Sequence, residues 1–145
     1  MSKRVLIGMS GGIDSTVAAI LLQEQGYELV GATFRTFDIV MDAPLSNSKG
    51  CCSEDSITEA QKMAHALGIE HHILDFRNTF HQYVVKNFVE EYAAGRTPNP
   101  CVMCNSHIKW GKLLEAADAL GCDYVATGHY AQIAEFRGHL YLKNA

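Results

Sequence analysis

The chain has no apolar run long enough to cross a membrane. Its start, MSKRVLIGMSGG, offers only a short hydrophobic stretch before glycines and a polar loop, which is neither a signal peptide nor a span. The expected location is therefore the cytoplasm, with no membrane partner. Low-complexity tracts are also missing, and with 48% hydrophobic and 19% charged residues over 145 positions the composition excludes disorder in favour of one packed domain. There is no surplus of basic charge. A formal net charge of -4 and a pI near 5.9 argue against a purely electrostatic nucleic-acid binder, while leaving room for a local basic patch. No internal repeat or interdomain linker is visible. Nor do the cysteines form an even set: Cys51, Cys52, Cys101, Cys104 and Cys122 in a reducing compartment are free thiols, metal ligands or catalysts rather than a disulfide framework. Cys101 and Cys104 have no second CxxC pair beside them, so zinc is not supported.

What is present alternates. Short apolar runs predict strands over residues 4–9, 28–34, 72–76 and 123–127, and two short strands flank Arg137 and Gly138. Between them, helical patterns cover residues 15–25, a stretch capped by Ser53 and closed by Gly68, residues 79–94 and residues 106–120. The third of these places Phe80, Val84, Val85, Phe88, Val89 and Tyr92 at core spacing. Residues 35–50 show no period and read as a mobile loop, and the two prolines of RTPNPCVMCN forbid helix until about Asn105. Strands alternating with helices give an α/β class with a mostly parallel sheet sandwiched by helices.

The sharpest feature is GMSGGIDS, residues 8–15, between the first strand and the first helix. In an open α/β sheet the ligand crevice lies beyond the carboxyl ends of the strands. Gly11 and Gly12 let the backbone turn and approach a ligand, helix-start amides face the open space, and hydroxyls of Ser10, Ser15 and Thr16 add donors. Asp14 would repel phosphate unless a divalent cation sat between them. No Lys follows in a GK[ST] pattern, so this is not a Walker A loop, and it is not GxGxxG. Taken alone, the same residues equally describe a glycine turn with an acid near a helix start.

Ser10-Gly11-Gly12-Ile13-Asp14-Ser15 resembles the SGGxDS loop of the ATP pyrophosphatases. These enzymes share a Rossmann-like adenine nucleotide alpha hydrolase (PP-loop) fold, split ATP between its α and β phosphates and adenylate an oxygen of the substrate. The resemblance implies ATP and magnesium as cofactors.

A second segment, GRTPNPCVMCNSHIKW over residues 95–110, carries Cys104 just before an expected helix start, where the dipole would favour thiolate, with Arg96, His107 and Lys109 nearby. For Cys101 and Cys104 alone, two small half-buried residues are the simpler reading. The whole segment, however, is similar to the GRTPNPxxxCN signature of the bacterial tRNA-specific 2-thiouridylases. Cys51-Cys52-Ser53, LGI at residues 67–69 and ATGHY at residues 126–130 match in the same order, so the resemblance covers almost the whole chain. It implies that Gly8, Met9, Ser10, Gly11, Gly12, Ile13, Asp14 and Ser15 hold ATP phosphates, with Asp14 on magnesium, Phe34 near the adenine and Gly128 at the nucleotide. Asn99, Pro100 and Cys101 would lie against a flipped target base. Cys104 would be the first catalytic cysteine, and a persulfide on a second cysteine would deliver sulfur to the wobble uridine of a tRNA. The implied partners are tRNA and a sulfur-donor protein of a persulfide relay.

The chain departs from that pattern in two places. Some members carry Asp where Cys101 stands, which leaves Cys101 a base contact, a spare thiol or a ligand. An iron–sulfur cluster on Cys101 and Cys104 would need more ligands than the segment supplies. The family also continues past residue 145 with a KDQ-type tRNA contact, the persulfide cysteine and β-rich parts. Residues 1–145 are thus expected to be the amino-terminal catalytic domain, with residues 131–145 starting the next segment and turnover incomplete. Cys122, between a helix-ending Gly121 and a strand, is expected to be buried. His65, His81 and His139 read as surface residues, whereas His129 stands at a strand's carboxyl end beside the expected site. Two rival readings are another ATP pyrophosphatase with a small-molecule acceptor and a non-catalytic ATP-binding module.

Overall fold

The computed structural model describes residues 2–36 and 54–143. Of the loop expected over residues 35–50, Arg35 belongs to a strand, and residues 37–50 lie outside the described residues with the Cys51-Cys52-Ser53 helix start. Four strands, β1 (Arg4–Gly8), β2 (Glu28–Arg35), β3 (Glu70–Asp75) and β4 (Tyr124–Ala126), form one parallel sheet in the order β3-β2-β1-β4. Val5 sits opposite Leu29 on one side and Tyr124 on the other, so β1 is central.

Side chains alternate across a strand, and here both sides are apolar because both are covered. Val5, Ile7 and Met9 pack with Leu29 against Ala19 of α1 (Ile13–Glu24) and Ala60 and Ala64 of α2 (Glu54–Ala66). Leu6, Val30 and Ala32 pack on the opposite face against Leu113 and Ala117 of α6 (Gly111–Ala119). The helices meet the sheet through alanines, which lets their backbones sit close. The layers are therefore helix, sheet and helix, the class expected.

Two helical regions differ from expectation. The helix anticipated from Thr79 starts earlier and runs in three pieces: α3 (Arg77–Phe80), a π-helical turn (His81–Val85) and α4 (Lys86–Ala93). A π turn inserts a residue and re-aims the side chains on either side of it. Val84 is buried, but Phe88, Val89 and Tyr92, expected in the core, stay exposed, with Phe88 and Tyr92 edge to face at 4.9 Å.

The prolines, meanwhile, do not delay helix to Asn105. Pro100 opens α5 (Pro100–Cys104), because the first helical position needs no N–H, and Asn99 caps it by accepting from the Val102 amide at 3.2 Å. A second π turn (Asn105–Trp110) joins α5 to α6. The chain then forms β4 and a separate hairpin of β5 (Gln132–Phe136) and β6 (His139–Lys143), turning through Arg137 (φ 52°) and Gly138 (φ 75°).

Candidate functional site

The chain adds β2 and β3 on one side of β1 and then returns to place β4 on the other. That reversal opens a crevice at the carboxyl ends of β1 and β4, where doubly wound sheets bind ligands. A cavity of about 240 Å³ lies there, lined by Gly8, Met9, Ser10, Asp14 and Ser15 after β1, Ala32, Thr33 and Phe34 of β2, Thr127, Gly128 and His129 after β4, and Lys109. This is below the roughly 300–1,000 Å³ common for ligand sites.

The loop after β1 is held from within. Ser15, 3% exposed, donates its hydroxyl to the Gly12 carbonyl at 3.2 Å and accepts from the Ser10 amide at 3.3 Å. Thr16 donates to the same carbonyl at 3.0 Å. The hydroxyls of Ser15 and Thr16, expected as phosphate donors, thus fix the loop instead. What remains for an anion is the first turn of α1, whose leading amides have no intrahelical partner and whose cap, Gly12, has no side chain to satisfy them. Gly11 (φ +76°) does not line the cavity: a Cβ there would fall 2.5 Å from the Ser56 carbonyl, so its missing side chain lets α2 approach. Ile13 is 81% exposed.

The opposite wall is the segment after β4. A Cβ on Gly128 would lie 2.7 Å from the Ser15 nitrogen and 2.9 Å from the Asp14 carbonyl carbon, so only glycine brings this segment against α1. His129 Nδ1 pairs with Thr127 Oγ1 at 2.7 Å, and its ring stands 6.0 Å from that of Trp110. Tyr130 donates to Asp14 Oδ1 at 2.7 Å, and that bond holds the phenol proton, raising its pKa. Phe34 packs on Phe76 with ring centroids 5.5 Å apart and lines the cavity.

The ionisable side chains lining the cavity are Asp14, Lys109 and His129. Among the described residues no cluster of three His, Cys, Asp or Glu side chains could hold a metal. A lone carboxylate beside an anion site fits magnesium carried by a nucleotide, which takes one or two protein carboxylates and completes its shell with phosphates and water.

Cys104 is not at a helix start: it closes α5, five residues into a helix opened by Pro100, so the dipole argument for its thiolate does not hold there. Cys101 is exposed and Cys104 half-buried. Neither lines the cavity, nor do Asn99 and Pro100. The link is the helix itself, because the π turn after Cys104 carries Lys109 into the cavity wall. Cys122 is half-buried against the β1–α6 cluster, and burial pushes its thiol up. Thr33, Thr127 and Tyr130 were not anticipated as site residues. Position beyond a strand's carboxyl end was the available signal for the last two.

No helix among the described residues is long and apolar enough to cross a membrane. Two relatives named tRNA-specific 2-thiouridylase MnmA match the chain closely. The one from Amoebophilus asiaticus is 57% identical over 135 residues, covering 93% of this chain and 36% of the relative. The one from Cytophaga hutchinsonii is 55% identical over 135 residues, covering 92% and 37%. The chain thus spans a little over a third of these relatives' length. A solved NH3-dependent NAD synthetase from Campylobacter jejuni shares the fold, with a TM-score of 0.60 at 18% identity over 90% of this chain and 48% of that one. The model of the tRNA methyl transferase HUP domain matches residues 3–145. Over nearly its whole length, then, the chain belongs to the tRNA methyl transferase HUP domain family, in which its close relatives are the tRNA-specific 2-thiouridylases.

Proposed function

We propose that the chain binds ATP with magnesium in the crevice between β1 and β4 and adenylates the C2 oxygen of the wobble uridine of a tRNA, the activating half of a 2-thiolation. The observation that carries this reading is the seat of Asp14, a carboxylate on the uncapped first turn of α1 and in the wall of a crevice that also holds Lys109. The name of the close relatives supports the tRNA acceptor.

In this reading residues 1–145 are the ATP pyrophosphatase domain, with residues 131–145 leading into the next segment. The segment from Gly8, Met9 and Ser10 through Gly11, Gly12 and Ile13 to Asp14 and Ser15 takes the phosphates through the α1 amides. Phe34 lies by the adenine and Gly128 against the nucleotide. Asn99, Pro100 and Cys101 receive the extruded base. Magnesium, when bound, neutralises phosphate charge and eases departure of pyrophosphate. The uridine O2 attacks the α-phosphorus as the bond to pyrophosphate breaks, and Lys109 offsets the charge that develops.

In the second half, a persulfide on a second cysteine, loaded by a sulfur-donor protein, attacks C2 and expels AMP. The Cys104 thiolate then attacks the sulfur of that cysteine, releasing the thiocarbonyl and leaving a disulfide.

Formation of 2-thiouridine in unmodified tRNA, with a persulfide donor, tests this in a thiolation-competent protein carrying the sequence. Cys104→Ser abolishes thiolation and leaves ATP binding intact, and Asp14→Ala weakens magnesium-dependent ATP binding at least about tenfold, the scale of one charged contact. Thiolation surviving Cys104→Ser removes that residue's role. Pyrophosphate release indifferent to tRNA assigns a small-molecule acceptor, and ATP binding without pyrophosphate assigns a non-catalytic module.

A further inference from the structure

Tyr130 is 76% exposed, yet its hydroxyl lies 2.7 Å from Asp14 Oδ1. A ring so exposed is not held by packing, so the hydrogen bond accounts for its position. The approach is built into the backbone, because Gly128, two residues earlier, seats this segment directly on the backbone of Asp14 and Ser15. A Cβ at that position would lift the segment and withdraw the tyrosine. Asp14 stands on the first turn of α1, and among the described residues Tyr130 is the side chain that hydrogen-bonds its carboxylate.

We propose that Tyr130 is a positioning residue for Asp14: its hydroxyl engages Oδ1, fixes the carboxylate rotamer and leaves Oδ2 directed to the cation that accompanies the nucleotide. The inference rests on the proposed magnesium-dependent ATP site and names a component of it. The tyrosine proton is committed to Oδ1, so the contact the structure shows for this hydroxyl is to the carboxylate, and in this proposal its effect on the cation passes through Asp14. The ring itself makes no contribution that phenylalanine would lack. Removing the hydroxyl therefore leaves packing as it is and frees the carboxylate to rotate away from its productive orientation, an entropic loss felt only when the cation binds.

The test is calorimetric titration of the chain with ATP, in magnesium and in EDTA, for the wild type, Tyr130→Phe, Asp14→Asn and the double variant, alongside their melting temperatures. Tyr130→Phe weakens ATP binding in magnesium roughly three- to tenfold, the range of one hydrogen bond. It leaves binding in EDTA and the melting temperature unchanged, and has no further effect in the Asp14→Asn background. Unchanged or tighter binding in magnesium overturns the proposal, tighter binding meaning that the tyrosine competes with the cation. Equal weakening in EDTA also overturns it, because the hydroxyl would then contact the nucleotide. A lost magnesium dependence in Asp14→Asn with an inert Tyr130→Phe defeats this inference alone. Absence of ATP binding by the wild type, or an Asp14→Asn variant with normal magnesium dependence, defeats the ATP site as well.

Discussion

Two glycines with opposite duties frame the site. Gly11 faces α2, where a Cβ would meet the Ser56 carbonyl, and Gly128 faces α1, where a Cβ would meet the Ser15 amide. Both contacts are with backbone, so neither can be relieved by rotating a side chain. Gly128→Ala must push the segment after β4 off α1 and so displace a wall of the cavity. The expected cost is about 1–3 kcal/mol of stability, as for other overpacked sites. Because the displaced wall belongs to the cavity, ATP affinity falls by more than stability alone implies. Calorimetry of binding and thermal melting on the same preparation separate the two effects, and a variant that melts earlier but binds ATP as the wild type does would assign Gly128 to packing only.

At the scale of elements, the loop after β1 depends on a buried chain of hydrogen bonds to β3. Thr33 donates to the Met9 carbonyl at 2.7 Å, so at 2.8 Å its oxygen accepts from His71, which must carry its proton on Nε2. His71 Nδ1 is then a buried acceptor with no partner among the described residues. Burial, and after it the neighbouring His72, pushes the His71 pKa below the ordinary value. The folded protein keeps His71 neutral while the unfolded chain takes up a proton near the ordinary pH of about 6.5. Below that pH the unfolded state binds more protons, so the contribution is fully present above it and is lost as pH falls. His71→Gln, whose amide can still donate to Thr33, flattens the slope of stability against pH below about 6.5 in denaturant titrations. An unchanged slope assigns the pH dependence to other groups.

The same scale shows what the sequence made legible. Apolar runs with glycine and acid punctuation located β1, β2, α1 and the site loop, because a strand buried on both faces leaves an uninterrupted apolar trace. The helix opened by Pro100 is hidden in the sequence because proline's missing N–H speaks against helix, although at the first helical position it costs nothing. The π turns were invisible, since an inserted residue leaves no composition signal. They explain why Phe88 and Tyr92 sit outside the core and how Lys109, read as a neighbour of Cys104, belongs to the cavity wall.

Across the whole molecule, burial is uneven. The sheet, its helical layers and the two π turns hold the buried side chains, whereas the β5–β6 hairpin carries exposed apolar residues on both of its faces. Ile133 and Leu142 are directly opposite at 75% and 82% exposed, and Phe136 lies on the other face at 60%. Side chains that bury so little contribute little to cooperative unfolding, yet an apolar patch of this kind favours association between molecules. Replacing the opposed pair with Ile133→Lys and Leu142→Glu keeps a favourable cross-strand contact and breaks up the apolar surface on that face. The double variant is expected to melt within about 0.5 kcal/mol of the wild type, as surface changes do, while light scattering at high concentration falls. A large loss of stability would instead mean that the hairpin is covered in solution and belongs to the core's cooperative unit.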